Sequence, residues 1–337
     1  MAVNPFPLSV APMMDWTDRH CRYFLRQVSP RVRLYTEMIT TAALIRGDRG
    51  RLLDYDPAER PLALQLGGSE ADELATCARW AEQRGYSEIN LNVGCPSDRV
   101  QSGRFGACLM LEPARVAACV SALRQAVSIP VTVKCRTGVD QQDSYAALAN
   151  FVGRLADAGL QQLVVHARKA WLRGLSPKQN REVPPLQYER VYRLKQDFPQ
   201  LSVHINGGMT TVEDVAEQLR YVDGVMIGRA AYHDPWLLAS LEFLIEPGAS
   251  QSPTRHQVVQ DMLPYVERQL TDGVRLQQIA RHMLGLFQGQ PGARAWRRYI
   301  SEHAHRDGAG PEVLVNALQR VPVPAFGYGA AAPVNLA

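Results

Sequence analysis

The strongest constraint on this chain is an alternation. From residue 8 to residue 244, apolar runs of four to six residues alternate with stretches of helical periodicity. Eight runs read as strands: Leu8–Pro12, Arg33–Glu37, Leu62–Leu66, Glu88–Val93, Val131–Lys134, Leu163–His166, Ser202–Ile205 and Gly224–Ile227. Helical patterns follow most of them, at Thr17–Val28, Ala71–Arg84, Pro113–Val127, Ser144–Ala158, Tyr188–Phe198, Val212–Leu219 and Pro235–Leu244. Leu74, Cys77, Ala78 and Ala81 have the spacing of one buried helix face. Ser69-x-x-Asp72 before them reads as a helix N-cap. Gly85, Gly159 and Gly224 sit where a helix ends before the next strand. Eight β/α units in about 240 residues predict an α/β fold of the (β/α)8 TIM-barrel type. An open doubly wound sheet is the alternative. It would want Gly-x-Gly-x-x-Gly after the first strand, which instead ends in Ala11-Pro12-Met13-Met14-Asp15.

The pattern changes after Pro247. Residues 247–253 read as a linker. Residues 254–320 show only helical periodicity, as in Ile279, Met283, Leu284 and Phe287, and predict a small all-helical domain. The last seventeen residues, 321–337, are rich in Pro, Ala and Gly, carry no charge, and read as a disordered tail. The expected division is therefore a barrel over 1–247, a helical domain over 254–320 and the tail.

Composition narrows the function classes. No run of eighteen apolar residues exists, and the first residues lack the features of a signal peptide, so a soluble cytoplasmic protein is expected. Six cysteines lie scattered without a Cys-x-x-Cys pair, which fits reduced thiols rather than a disulfide framework or a zinc or iron–sulfur site. Residues 251–320 hold nine Lys and Arg against six Asp and Glu, a mild sign of a polyanionic partner.

In such a barrel the C-terminal strand ends share one mouth, where active sites are built. The fourth strand ends in Asn90-Leu91-Asn92-Val93-Gly94-Cys95-Pro96, followed by a long polar loop whose Gly103 and Gly106 would permit motion. Cys95 reads either as a buried thiol or as a chemical group. The seventh and eighth strands end in Asn206-Gly207-Gly208 and Gly228-Arg229, each before a helix. Such glycines let backbone N–H groups approach a phosphate, and a helix N-terminus would help; a plain turn is the other reading. Gln65, Asn92, Lys134 and His166 would present polar groups suited to a flat heteroaromatic ligand such as a flavin, whose reduced ring a lysine would stabilise. The plainer alternatives are a core histidine at 166 and a Lys134–Glu37 ion pair. No pair of His or carboxylate residues at these strand ends has metal-ligand spacing.

Taken in order, these strand ends resemble the tRNA-dihydrouridine synthases. The resemblance rests on Pro12-Met13-Met14-Asp15-Trp16-Thr17-Asp18, Tyr35-Thr36-Glu37-Met38, Leu64-Gln65-Leu66-Gly67, Asn90 to Pro96, Val133-Lys134-Cys135-Arg136, Val165-His166-Ala167-Arg168 and Asn206-Gly207-Gly208. Asp98-Arg99-Val100-Gln101, Ala167 to Leu172 and Gly289 to Arg294 are similar to the A subfamily. The resemblance implies an FMN-bound barrel, NADPH as reductant, a helical tRNA-recognition domain and reduction of the C5–C6 bond of D-loop uridines at positions 20 and 20a. It implies that Ala11, Pro12, Met13, Gln65, Lys134, His166, Asn206, Gly207, Gly208, Gly228 and Arg229 hold FMN. It makes Cys95 the proton donor, gives Asn92 a contact to the uridine, and gives Lys178, Arg181, Arg294 and Arg297 contacts to tRNA.

The chemistry suits a thiol. Hydride delivered to C6 leaves negative charge at C5 and O4, and C5 must be protonated. A thiol of pKa near about 8.5 keeps its proton at neutral pH, where a carboxylic acid would have lost it. Two basic regions could hold the RNA: residues 168–181, with Trp171 among five cations, and the Arg294, Arg297, Arg298 face opposite Trp296, Tyr299 and Ile300. A flavin barrel acting on a free pyrimidine, as in dihydroorotate dehydrogenases, is the main rival; a non-catalytic RNA-binding barrel is another.

Overall fold

The computed structural model describes residues 6–245 and 253–323. The linker read at 247–253 lies outside them except for Pro253, and so does the tail from residue 324.

Eight parallel strands form the barrel: β1 (Leu8–Val10), β2 (Leu34–Thr40), β3 (Leu62–Gly67), β4 (Glu88–Val93), β5 (Val131–Arg136), β6 (Gln162–His166), β7 (Ser202–Asn206) and β8 (Gly224–Ile227). Pairing runs β1-β8-β7-β6-β5-β4-β3-β2. Two backbone bonds join the remaining edges, Val10 N–H to Arg33 O at 2.9 Å and Arg33 N–H to Leu8 O at 3.1 Å. All eight expected strands are present. β2, β3, β5 and β7 run one to three residues past their expected ends, and β1 stops two residues short of Pro12. In β2 the register shifts between Tyr35 and Met38, so Glu37 sits at a bulge inside the strand rather than at its end.

Helices cover the outside. Ala71–Arg84 buries Leu74, Ala75, Cys77, Ala78 and Ala81 and closes on left-handed Gly85. Its N-cap is Glu70, without a side-chain bond, so the cap read at Ser69 is not made. Gly159 also takes a left-handed turn, with φ at 89°. Gly224 does not end a helix but opens β8. A Cβ there would lie 2.5 Å from the His204 ring, so its small size makes room for that imidazole inside the barrel. The helix Arg19–Val28 is tied to the turn Pro57–Glu59 by a buried ion pair, Arg22 Nε to Glu59 Oε2 at 2.6 Å.

The barrel interior is only partly apolar. Ala11, Tyr35, Ala63, Val164 and Met226 form a buried cluster with Met13 packed on it. Around them, Arg33, Gln65, Glu88, Asn90, Thr132 and His204 are also buried, and Arg33 forms an ion pair with Glu88.

Packing separates a first unit, ending at Ser252, from a second beginning at Pro253. The second is built from helices Arg255–Thr271, Leu276–Ala280, Ala293–His303 and Glu312–Leu318. Its centre is Trp296, fully buried, whose indole N–H donates to Met283 O at 3.0 Å and whose ring meets Phe287 edge-on. Among the described residues no helix is long and apolar enough to cross a membrane.

Candidate active site

At the end of β4 the chain turns on Asn92. Its side-chain oxygen accepts the Gly94 N–H at 3.1 Å and the Cys95 N–H at 3.0 Å, an Asx turn that sets the thiol at the strand's end. The Cys95 thiol is partly exposed and lies 3.5 Å from Ser97 Oγ. The Cys95 carbonyl accepts the Ala107 N–H at 2.8 Å. The segment after Cys95 is not a plain loop: it holds a short helix, Asp98–Ser102, and a 3-10 helix, Gly106–Leu111. Its glycines serve close packing. Gly106 has φ at 75°, and a Cβ there would lie 2.5 Å from the Cys95 carbonyl oxygen; one at Gly103 would lie 2.3 Å from the Phe105 ring.

Two side chains, Gln101 and Arg136, tie the cysteine turn and this segment to the basic stretch after β6, and a third, Asn180, holds that stretch together. Gln101 donates from Nε2 to Pro96 O at 2.8 Å and Leu172 O at 2.7 Å. Arg136 donates from Nε to Gly94 O at 3.1 Å and from Nη1 to Asn180 O at 2.9 Å. Asn180, fully buried, holds the stretch closed by accepting the Trp171 N–H at 2.8 Å and donating to Trp171 O at 3.0 Å. Sequence reading assigned none of the three a role. Arg136 is signalled by its place at a strand end and Gln101 by the motif Asp98-Arg99-Val100-Gln101, whereas the Asn180 side chain bonds only to backbone groups of its own loop, which carry no sequence mark.

β5 and β6 bring Lys134 and His166 to the mouth. Lys134 Nζ donates to Asn206 Oδ1 at 3.0 Å, and Asn206 in turn donates to Met226 O at 2.7 Å. The Lys134–Glu37 pair is not formed: Glu37 instead accepts the Asp15 N–H at 2.5 Å. Burial, with Arg136 beside it, lowers the Lys134 pKa to about 7. Burial and the charges of Arg136, Lys134, Arg168 and Arg181 hold His166 well below the ordinary histidine range, so its ring is neutral. That ring makes no hydrogen bond among the described residues. Gln65 lies beside Asn92, which donates to it at 2.8 Å. Met13 is fixed by its N–H to Thr17 Oγ1 at 2.9 Å.

At the far side, Gly207 and Gly208 have φ of 110° and 85°. A Cβ on Gly207 would lie 2.7 Å from the His166 ring, and one on Gly208 would lie 2.3 Å from the Tyr188 hydroxyl. Gly228 is open, its nearest neighbour at 3.9 Å. The helix after β7, Val212–Leu219, offers less than expected. Asp214 accepts the Thr210 and Thr211 N–H groups, both at 2.9 Å, within a capping box that seals this end. Arg229 pairs with Glu182 at 2.5 Å.

The basic stretch is less uniform than its sequence. Lys169 pairs with Asp143 at 3.1 Å and lies 4.0 Å over the Trp171 ring, and Arg168 donates to the Glu182 and Pro184 carbonyls. Lys178 and Arg181 are exposed. In the second unit Arg294 and Arg298 are exposed, Arg297 donates to Gln288 at 2.6 Å, and Arg298 pairs with Glu302. Trp296 and Ile300 are buried on the other side of that helix.

The family model described as dihydrouridine synthase (Dus) matches residues 9–322. The chain belongs to the dihydrouridine synthase family. It is 59% identical over 318 residues to the tRNA-dihydrouridine(20/20a) synthase of Vibrio vulnificus, spanning 94% of this chain and 97% of that one. It is 57% identical to the protein of that name in Shewanella oneidensis, spanning 93% of each, and 58% identical to that of Synechocystis, spanning 93% and 94%.

Dihydrouridine synthases are flavoenzymes and oxidoreductases acting on CH–CH bonds. The residues at this mouth fit FMN. Lys134 has no carboxylate partner among the described residues, His166 is neutral with a free ring, and Gly228 leaves open space at the end of β8, with no neighbour nearer than 3.9 Å to a Cβ there.

Proposed function

We propose that this protein is an FMN-dependent tRNA-dihydrouridine synthase. It reduces the C5–C6 bond of D-loop uridines at positions 20 and 20a, with NADPH as electron source. The observation that carries the reading is the pairing of Cys95, its backbone fixed by Asn92, with the Lys134, His166 and Asn206 group on neighbouring strands. The names and close identity of the relatives support the tRNA substrate and the two positions.

A flavin held at this mouth would supply hydride chemistry to the uracil C5–C6 bond. Ala11, Pro12, Met13, Gln65, Lys134, His166, Asn206, Gly207, Gly208, Gly228 and Arg229 are the residues that would hold it. Cys95 gives its proton to C5, where the charge collects, and Asn92 contacts the uracil. The base must leave its stack to enter, at a cost of a few kcal/mol. Lys178 and Arg181 on the barrel, and Arg294 and Arg297 on the helical domain, supply phosphate contacts that offset it.

The test is a map of dihydrouridine in tRNA from cells lacking the gene. Loss at 20 and 20a, restored by the gene, is expected. Unchanged dihydrouridine, or reduction of free uracil by the purified protein in place of unmodified tRNA, would overturn the reading.

A further inference from the structure

A chain of side-chain hydrogen bonds runs up the inside of the barrel to the cysteine turn. Thr132 Oγ donates to Glu88 Oε1 at 2.6 Å, Asn90 Nδ2 donates to Thr132 Oγ at 2.8 Å, and Gln65 Nε2 donates to Asn90 Oδ1 at 2.7 Å. Asn92 Nδ2 donates to Gln65 Oε1 at 2.8 Å, and Asn92 Oδ1 accepts from Gly94 and Cys95. All five side chains are buried.

The direction of this chain is not a free choice. At the upper end the backbone N–H groups of Gly94 and Cys95 only donate, so the oxygen of Asn92 must face them. At the lower end the Glu88 carboxylate, ion-paired with Arg33, accepts, and Tyr35 adds a phenol donor at 2.7 Å. With both ends fixed, each amide between them has one orientation, and the aligned bonds strengthen one another. The oxygen of Asn92 is already used twice. What remains to Asn92 is one N–H, which no described residue accepts.

We infer that Glu88, Thr132 and Asn90 are positioning residues, fixing through Gln65 the orientation of Asn92, so that Asn92 presents the mouth with a hydrogen-bond donor and selects a base bearing an acceptor oxygen there. The second half rests on the proposed function: a carbonyl of uracil fits that N–H, and an amino group in its place would not. Where that carbonyl is O4, it gains charge during reduction, so a donor held in place favours the reaction as well as binding.

The experiment compares Thr132→Val, which keeps shape and removes the hydroxyl, with Thr132→Ser, which keeps the hydroxyl. Hydrogen exchange of the Gly94 and Cys95 amides is followed in the cofactor-free protein, and dihydrouridine formation in the loaded enzyme. In Thr132→Val the two amides should exchange faster and kcat should fall by at least about tenfold, a modest misplacement by the standards of catalytic geometry, with KM for tRNA unchanged. Thr132→Ser should restore both. Thr132→Ala repeats the test should the valine variant not fold. Wild-type exchange at Gly94 and Cys95 in the variants lacking the hydroxyl would overturn the inference. A wild-type enzyme that makes no dihydrouridine would instead overturn the proposed function, with the exchange result still deciding the positioning.

Discussion

A proton donor for carbon needs a pKa above the working pH and a fixed place, and Cys95 has the place because Asn92 holds its backbone. Cys95→Ala should keep FMN and lower turnover by at least about a hundredfold, the usual scale for losing a general acid. Flavin absorbance beside single-turnover rates would check it, and near-normal turnover would remove Cys95 from the role. Lys134 allows a test without substrate. Its pKa is lowered to about 7 by burial, whereas an unfolded lysine titrates near about 10.4. Between those values the unfolded chain binds the extra proton, so stability rises with pH through the window and the penalty is full below it. Lys134→Met should therefore raise the melting temperature of the cofactor-free protein at pH 6, by an amount that shrinks toward pH 10, and should weaken FMN retention. An equal gain at both ends would mean that charge is not the cause. The placement of Cys95, Asn92, Lys134 and His166 at the strand ends was legible because each follows or closes an apolar run. The ring of His166 could not be told from a core histidine until the structure showed it unbonded.

Elements carry the site by how they are tied together. Gly106 packs against the Cys95 carbonyl in a left-handed conformation, so Gly106→Ala meets both strain and a clash. It should cost about 1–3 kcal/mol, and activity should fall further than the folded fraction does. Calorimetry paired with kinetics on the same preparation separates the two. The buried Arg22–Glu59 pair joins the first helix to the turn before β3. Arg22→Ala strands a carboxylate and should cost about 3–5 kcal/mol in a denaturant titration. The strands were legible as apolar runs, but β2 and β5 were read short at their C-terminal ends. There Met38-Ile39-Thr40 follow a bulge, and Cys135-Arg136 follow a lysine; the polar residues that serve the mouth interrupt the pattern that marks a strand. The helices at 41–46, 98–102 and 229–233 are too short to show a period at all. Asn180 stayed hidden for another reason: its side chain bonds to backbone groups of its own loop, which leave no mark in a sequence.

At the scale of the whole molecule, the proposed function assigns RNA contacts to cations of both units. Arg294→Ala with Arg297→Ala should weaken tRNA binding and reduce the slope of log affinity against log salt by about 1–2, flavin content staying constant. Affinity measured over a salt series checks this, and an unchanged slope would remove that face from the contact. The division into a barrel and helices was legible because hydrophobic period changes near Pro253, where the second unit begins. The polar column inside the barrel also bears on how such an enzyme tolerates variation. A side chain packed among hydrocarbons can be exchanged for another of similar size, one position at a time. Glu88, Thr132, Asn90, Gln65 and Asn92 each complete a neighbour, so a single replacement leaves an orphan on one or both sides. A library randomised one site at a time should find these five positions nearly fixed, whereas one that varies adjacent members together should recover solutions. Remodelling the base specificity of this barrel would then begin at its floor.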